Sequence, residues 1–177
     1  MNSKPLYVVV LFCIQVLSAT AADKIEGAFG KKLGELFDVT SAVGQSQLTD
    51  GTPMYEFTPT NAFRSLKKYY VFVTPTTKKI YSIWGTGPTE NTETGKKEQA
   101  LIMEILQEKY GEKSKPGLLE SIVDADIVDQ GNRYVMSKVS GFSDVTIDVR
   151  YYDRDLEQLA EKERIAEEAK KVDKKGL

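Results

Sequence analysis

Beyond residue 21 the chain contains neither cysteine nor histidine. Its single thiol, Cys13, sits in an apolar N-terminal run, and none of the 177 residues is a histidine. Such a chain has no disulfide to staple it and no imidazole or thiolate to hold a structural metal. It must fold on a core assembled from its own strands and helices, and it is long enough to bury one. The same absence removes catalysis that depends on imidazole or thiolate, and no motif in the chain calls for a cofactor.

The N-terminus has the three parts of a secretory signal. Lys4 is the only charge before Asp23, an apolar run extends from Leu6 to Leu17, and Ala19 and Ala21 form an A-x-A exit. Residues 1–21 are therefore expected to be cleaved. The run is shorter than the roughly 20 residues of a membrane-spanning helix, so no membrane span is expected after cleavage. Without a disulfide or an Asn-x-Ser/Thr acceptor, the exported part fits a bacterial periplasm or extracellular space. Removal of Lys4 makes the chain one unit more negative than its formal −2. Basic residues are interleaved with acidic ones, which is not the footprint of a nucleic-acid binder.

Residues 22–152 are expected to form a single domain and 153–177 a charged C-terminal helix and tail. Ile25, Phe29, Leu33, Leu36 and Phe37 have helical spacing, although Gly27, Gly30 and Gly34 weaken it. Residues 40–52 read as a loop. Strands are predicted at 53–57, 69–73 and 79–84, the last two as a hairpin. A helix follows at about 96–110, with Leu101, Ile102, Ile105, Leu106 and Tyr110 as its core stripe and Gly111 as its cap. Further strands are predicted from Ser121 to Val128, from Arg133 to Val139 and from Val145 to Tyr151, where Val145, Ile147, Val149 and Tyr151 share one face. The expected fold is α+β: an antiparallel sheet of about five or six strands with helices packed on one face, in strands-helix-strands-helix order.

Four candidate groupings carry chemistry. Tyr70, Tyr81, Trp84 and Tyr152 fall on neighbouring strands; ordinary core packing is the first reading of such residues and a binding surface the second. Asp124, Asp126 and Asp129 form the densest acidic cluster, a weak cation site or a solvated strand edge. Paired carboxylates could hydrolyse glycans without histidine, but no two are marked by spacing. Ser-Lys pairs such as Ser114-Lys115 and Ser137-Lys138 lack a diagnostic context. Trp84-Gly85-Thr86-Gly87-Pro88 reads as a strand end rather than a phosphate loop, because no Lys-Ser/Thr follows and proline removes a donor.

The C-terminal helix has a narrow stripe of Leu156, Leu159, Ala160, Ala166 and Ala169, with Arg164–Glu168 and Glu167–Lys171 as expected supporting pairs. It is expected to dock by its first turns, or to bind a partner.

Phe29-Gly30-x-x-Leu33-Gly34, Val73-Thr74-Pro75, Lys79-Ile80-Tyr81-Ser82-Ile83, Leu106-x-x-Lys109-Tyr110-Gly111 and Tyr151-Tyr152-Asp153 resemble short exported bacterial proteins of uncharacterised function. The layout is loosely similar to small periplasmic helix-plus-sheet accessory and inhibitor modules. That resemblance implies location and fold. The expected function is a non-enzymatic module that binds another envelope or extracellular protein, with a carboxylate-dependent hydrolase of cell-wall glycan as the alternative; the oligomeric state is left open.

Overall fold

The structure, a computed structural model, describes residues 22–63, 65–114 and 124–175, with side chains to Lys170 in the last helix. The expected signal with Cys13, the start of the strand expected at Ser121, and Lys115 lie outside the described residues.

The described chain is α+β, with two helices and a seven-stranded antiparallel sheet, one or two strands more than the pattern implied. A hairpin of β1 (Gly27–Ala28) and β2 (Lys31–Lys32) precedes a 3-10 turn at Val39–Ser41. Then come β3 (Gly44–Gln47), β4 (Pro53–Glu56), β5 (Lys68–Val73), β6 (Ile80–Pro88), α1 (Thr92–Tyr110), β7 (Ala125–Asp129), β8 (Arg133–Ser140), β9 (Thr146–Asp153) and α2 (Arg154–Lys175). The sheet order is β3-β4-β5-β6-β9-β8-β7.

Residues 23–37 form a hairpin instead of a helix. Phe29 and Gly30, the two residues between β1 and β2, both have positive φ (58° and 88°), as a type I′ turn requires. Three apolar residues of the apparent helical stripe, Ile25, Leu33 and Phe37, are buried, while Leu36 is exposed. The additional strand β3 has the sequence Gly-Gln-Ser-Gln, too polar to signal a strand. It is an edge strand, aligned on β4 from Gly44 opposite Glu56 to Gln47 opposite Pro53.

The helices lie on opposite faces of the sheet, not on one. Along β5, Tyr69, Val71 and Val73 enter the larger core with Ile102, Met103, Leu106 and Tyr110 of α1. Tyr70 and Phe72 enter a smaller one with Tyr81 and Ala160, flanked by Trp84 and Leu156. The period-2 alternation of a strand buried on both sides produces this division. β4-β5-β6-α1 and β7-β8-β9-α2 look alike as sequences of elements and meet at the β6–β9 seam. A rotation that exchanges antiparallel neighbours would keep both helices on one face, so the halves are not symmetric copies.

α1 starts at Thr92, with the Asn91 carboxamide oxygen accepting from Thr94 N–H at 2.8 Å, and stops before Gly111. Its buried stripe is Gln99, Ile102, Met103, Leu106 and Tyr110, rotated from the expected one, so that Leu101 and Ile105 remain accessible. Two glycines on β6 allow the 65–66 segment to lie directly on the sheet. A Cβ at Gly85 would stand 2.7 Å from Leu66 Cδ1, and one at Gly87 would run into the Ser65 carbonyl.

Candidate functional site

The register aligns side chains in rows across the face that carries α2. One row is Phe72, Ser82, Tyr152 and Tyr134, on β5, β6, β9 and β8; the next is Tyr70, Trp84, Arg150 and Met136. Of the four aromatic residues singled out in the sequence, Tyr70, Trp84 and Tyr152 therefore share a face, and Tyr81 joins Tyr70 in the smaller core on that side. Tyr70 and Trp84 ring centroids are 5.3 Å apart, and Tyr152 stacks on Tyr134 at 4.7 Å and 12°. Tyr70, Tyr81 and Tyr152 are buried, and Trp84 is half-buried.

Arg150 is the centre of this arrangement. Its guanidinium lies 4.4 Å from the Trp84 ring, 5.3 Å from Phe72 and 5.7 Å from Tyr152, and Nη1 donates to the Tyr152 hydroxyl at 2.7 Å. Cation–π contacts of this kind contribute on the order of 1 kcal/mol each. Trp84 Nε1 donates to Asp148 Oδ1 at 3.0 Å, which satisfies a carboxylate that is buried rather than solvated. Beyond Tyr152 the alternation of charge and ring continues: Arg154 sits 4.4 Å over Tyr134 and binds both Asp129 oxygens, at 2.9 and 2.8 Å.

Between α2 and the β5–β6–β9 floor lies a cleft of about 350 Å³, with Ser82, Arg150 and Tyr152 from the sheet, Glu157 and Arg164 from α2, and Asp50 from the β3–β4 loop. Burial pushes the Tyr81 hydroxyl up to about 12 and raises Tyr152 against the pull of Arg150. Burial likewise raises Glu157, opposed by Arg150 and Arg154. Asp50 moves the other way, held down by the Thr52 N–H that it accepts at 2.9 Å. A smaller dent of about 120 Å³, lined by Met136, Lys138, Asp148, Arg150 and Tyr152, opens on the part of the face beside α2.

Nothing among known protein families, curated proteins or solved structures matches the chain.

The acidic cluster is dispersed into ion pairs. Asp124 meets Lys96 at 2.5 Å, Asp126 meets Lys113, and Asp129 meets Arg154. Among the described residues no group of three or more acidic side chains is placed to hold a metal ion. Nor is any described helix long and apolar enough to cross a membrane. In α2 the apolar docking ends at Ala160, while Ala166 and Ala169 are exposed. Arg164 pairs with Glu161 at 2.7 Å, and the Glu167 carboxylate accepts from the Thr76 hydroxyl at 3.4 Å.

Arg150, Asp148 and Ser82 were not marked by the sequence. Alternation put Asp148 and Arg150 on the face opposite Val149, which reads as the solvent side. Only the cross-strand register, which places Trp84 opposite Arg150, reveals a stacked cation.

Proposed function

We propose that this chain is an exported, non-enzymatic module that binds another envelope or extracellular protein through the part of the sheet face left open beside α2. The observation that carries this reading is the stacked set Trp84–Arg150–Tyr152–Tyr134, bordered by the half-buried Met136 and Lys138. Trp, Tyr and Arg dominate the energetics of protein interfaces, because they offer large contact area that loses little entropy when already immobilised. Here each ring is held by its neighbours before any partner arrives. A photo-crosslinking residue in place of Lys138 should give a discrete protein adduct in intact cells, and Arg150→Ala should abolish it. Crosslinking no stronger than at an exposed control position, such as Glu112, would refute the proposal.

One observation favours a hydrolase of cell-wall glycan as the second reading. Glu157 and Asp50 line the same cleft with their carboxyls shifted in opposite directions, the pattern of an acid and its charged partner. Clearing of peptidoglycan in a zymogram, lost in Glu157→Gln, would select that reading over the first.

A further inference from the structure

The cleft floor has a notch where one small residue interrupts a row of rings. Phe72, Tyr152 and Tyr134 share a row with Ser82. Ser82 is 1% exposed, lines the cleft, and its hydroxyl has no hydrogen-bond partner. A buried hydroxyl left alone is unfavourable, and an occupant that accepts or donates there removes that penalty.

Two charges of opposite sign, Arg150 and Glu157, line the same cleft without forming an ion pair with each other. Among the described residues Arg150 makes no ion pair; one of its nitrogens donates to Tyr152, while rings cover its faces. Glu157, from α2, makes none either. The other guanidinium, Arg164, is already tied to Glu161, and Asp50, which accepts from Thr52 N–H, adds a second carboxylate. A simple anion entering here would meet Asp50, Glu157 and Glu161, and a simple cation would meet Arg150 and Arg164. A ligand carrying both signs satisfies both walls. Leu48, Phe72 and Tyr81 supply the apolar remainder, and the volume suits a small molecule.

We infer that this cleft binds a zwitterionic α-amino acid with an apolar side chain. Its carboxylate lies on Arg150 and the Ser82 hydroxyl, its ammonium faces Glu157 and Asp50, and its side chain packs on Leu48, Phe72 and Tyr81. The inference does not depend on the protein partner proposed above, and crosslinking at Lys138 and ligand titration can fail separately.

The chain has one tryptophan, so the Trp84 indole N–H gives a single amide-spectrum signal beside Arg150. L-phenylalanine and L-leucine titrated into the ¹⁵N-labelled protein should shift that signal saturably, with a dissociation constant of about 1 mM or tighter. N-acetyl-phenylalanine, which lacks the ammonium, and phenylalaninamide, which lacks the carboxylate, should each bind about tenfold more weakly or worse. Glu157→Gln should weaken phenylalanine yet leave N-acetyl-phenylalanine unchanged. Ser82→Leu, which fills the notch, should abolish binding in a variant whose remaining spectrum is native. Should Ser82→Leu not fold, Ser82→Ala serves, with weaker binding expected. The absence of a saturable shift at about 20 mM, or equal binding of the blocked and free amino acids, overturns the inference.

Discussion

Arg133 on β8 reaches Asp153 at the last position of β9, Nε to Oδ2 at 2.9 Å, and this pair joins three parts of the fold. Asp153 is buried and also accepts from Leu156 N–H in the first turn of α2 at 3.2 Å and from the Asn132 carboxamide at 3.2 Å. The same guanidinium donates to the carbonyl oxygens of Ile25 and Leu33, which ties the N-terminal hairpin to the sheet. Asp153→Ala should cost about 3 kcal/mol in urea unfolding, because it removes a helix cap and strands a half-buried guanidinium. Asp153→Asn keeps an acceptor for the cap and should cost less. Equal losses for the two variants would show that charge pairing, not capping, dominates.

Gly87 and Gly85 should differ when each is changed to alanine. At Gly87 the new methyl meets the Ser65 carbonyl and the Leu66 Cα, which are backbone and cannot turn aside. At Gly85 it meets the tip of Leu66 and the Phe29 ring edge at 3.2 Å, which can shift. We expect Gly87→Ala to destabilise by about 3 kcal/mol and Gly85→Ala by about 1 kcal/mol in chemical denaturation. The reverse ranking would mean that the 65–66 segment does not rest on β6.

Asp129 and Glu157 should give opposite pH dependences. Arg154, hydrogen-bonded to Asp129, lowers its carboxyl below the ordinary 3.8, so its contribution to stability is complete above 3.8 and disappears as pH falls through the depressed folded value. Asp129→Asn should therefore lose stability at neutral pH and converge on the wild type in acid. Burial raises Glu157 above 4.5, so its contribution is complete below 4.5 and is lost as pH rises through the folded value. Glu157→Gln should gain on the wild type over that rise. Unfolding free energies measured from about pH 2 to 7 test both signs.

The strands with strong alternation were legible from the chain. Ile147, Val149 and Tyr151 do face one core together, and β5 and β6 do pair as a hairpin. The second face was hidden, because Tyr70 and Phe72 interleave with Tyr69 and Val71 in a run that is apolar at every position. Such a run shows that both faces are covered without showing by what. The cover is α2, which docks by its first turns through Leu156 and Ala160 as expected; what the chain did not show was that it docks on the face opposite α1. Helical spacing misled at 23–37, where glycine-dependent turn geometry outweighed the apolar period. Arg150 and Ser82 depend on register between β6 and β9, a relation over more than sixty residues of sequence that no local pattern contains.

The distal half of α2 should be held by Glu163 rather than by apolar contact. Its carboxylate accepts from Thr76 N–H at 2.6 Å, Thr77 N–H at 3.3 Å and the Thr77 hydroxyl at 3.0 Å, capping the turn between β5 and β6. Past Ala160 the helix has no other buried residue among those described, so this polar clasp carries the attachment. Glu163→Ala should cost only about 1 kcal/mol globally, since the bonds are exposed. Locally the effect should be larger: the Thr76 and Thr77 amides should lose hydrogen-exchange protection together with the helix amides beyond Ala160, while the first turn, capped by Asp153, keeps its protection. Glu163→Gln retains acceptor geometry without charge and should fall between the two. Unchanged exchange at Thr76 and Thr77 in Glu163→Ala would show that the turn is held by its own Thr74–Thr77 hydroxyl contact at 2.7 Å instead.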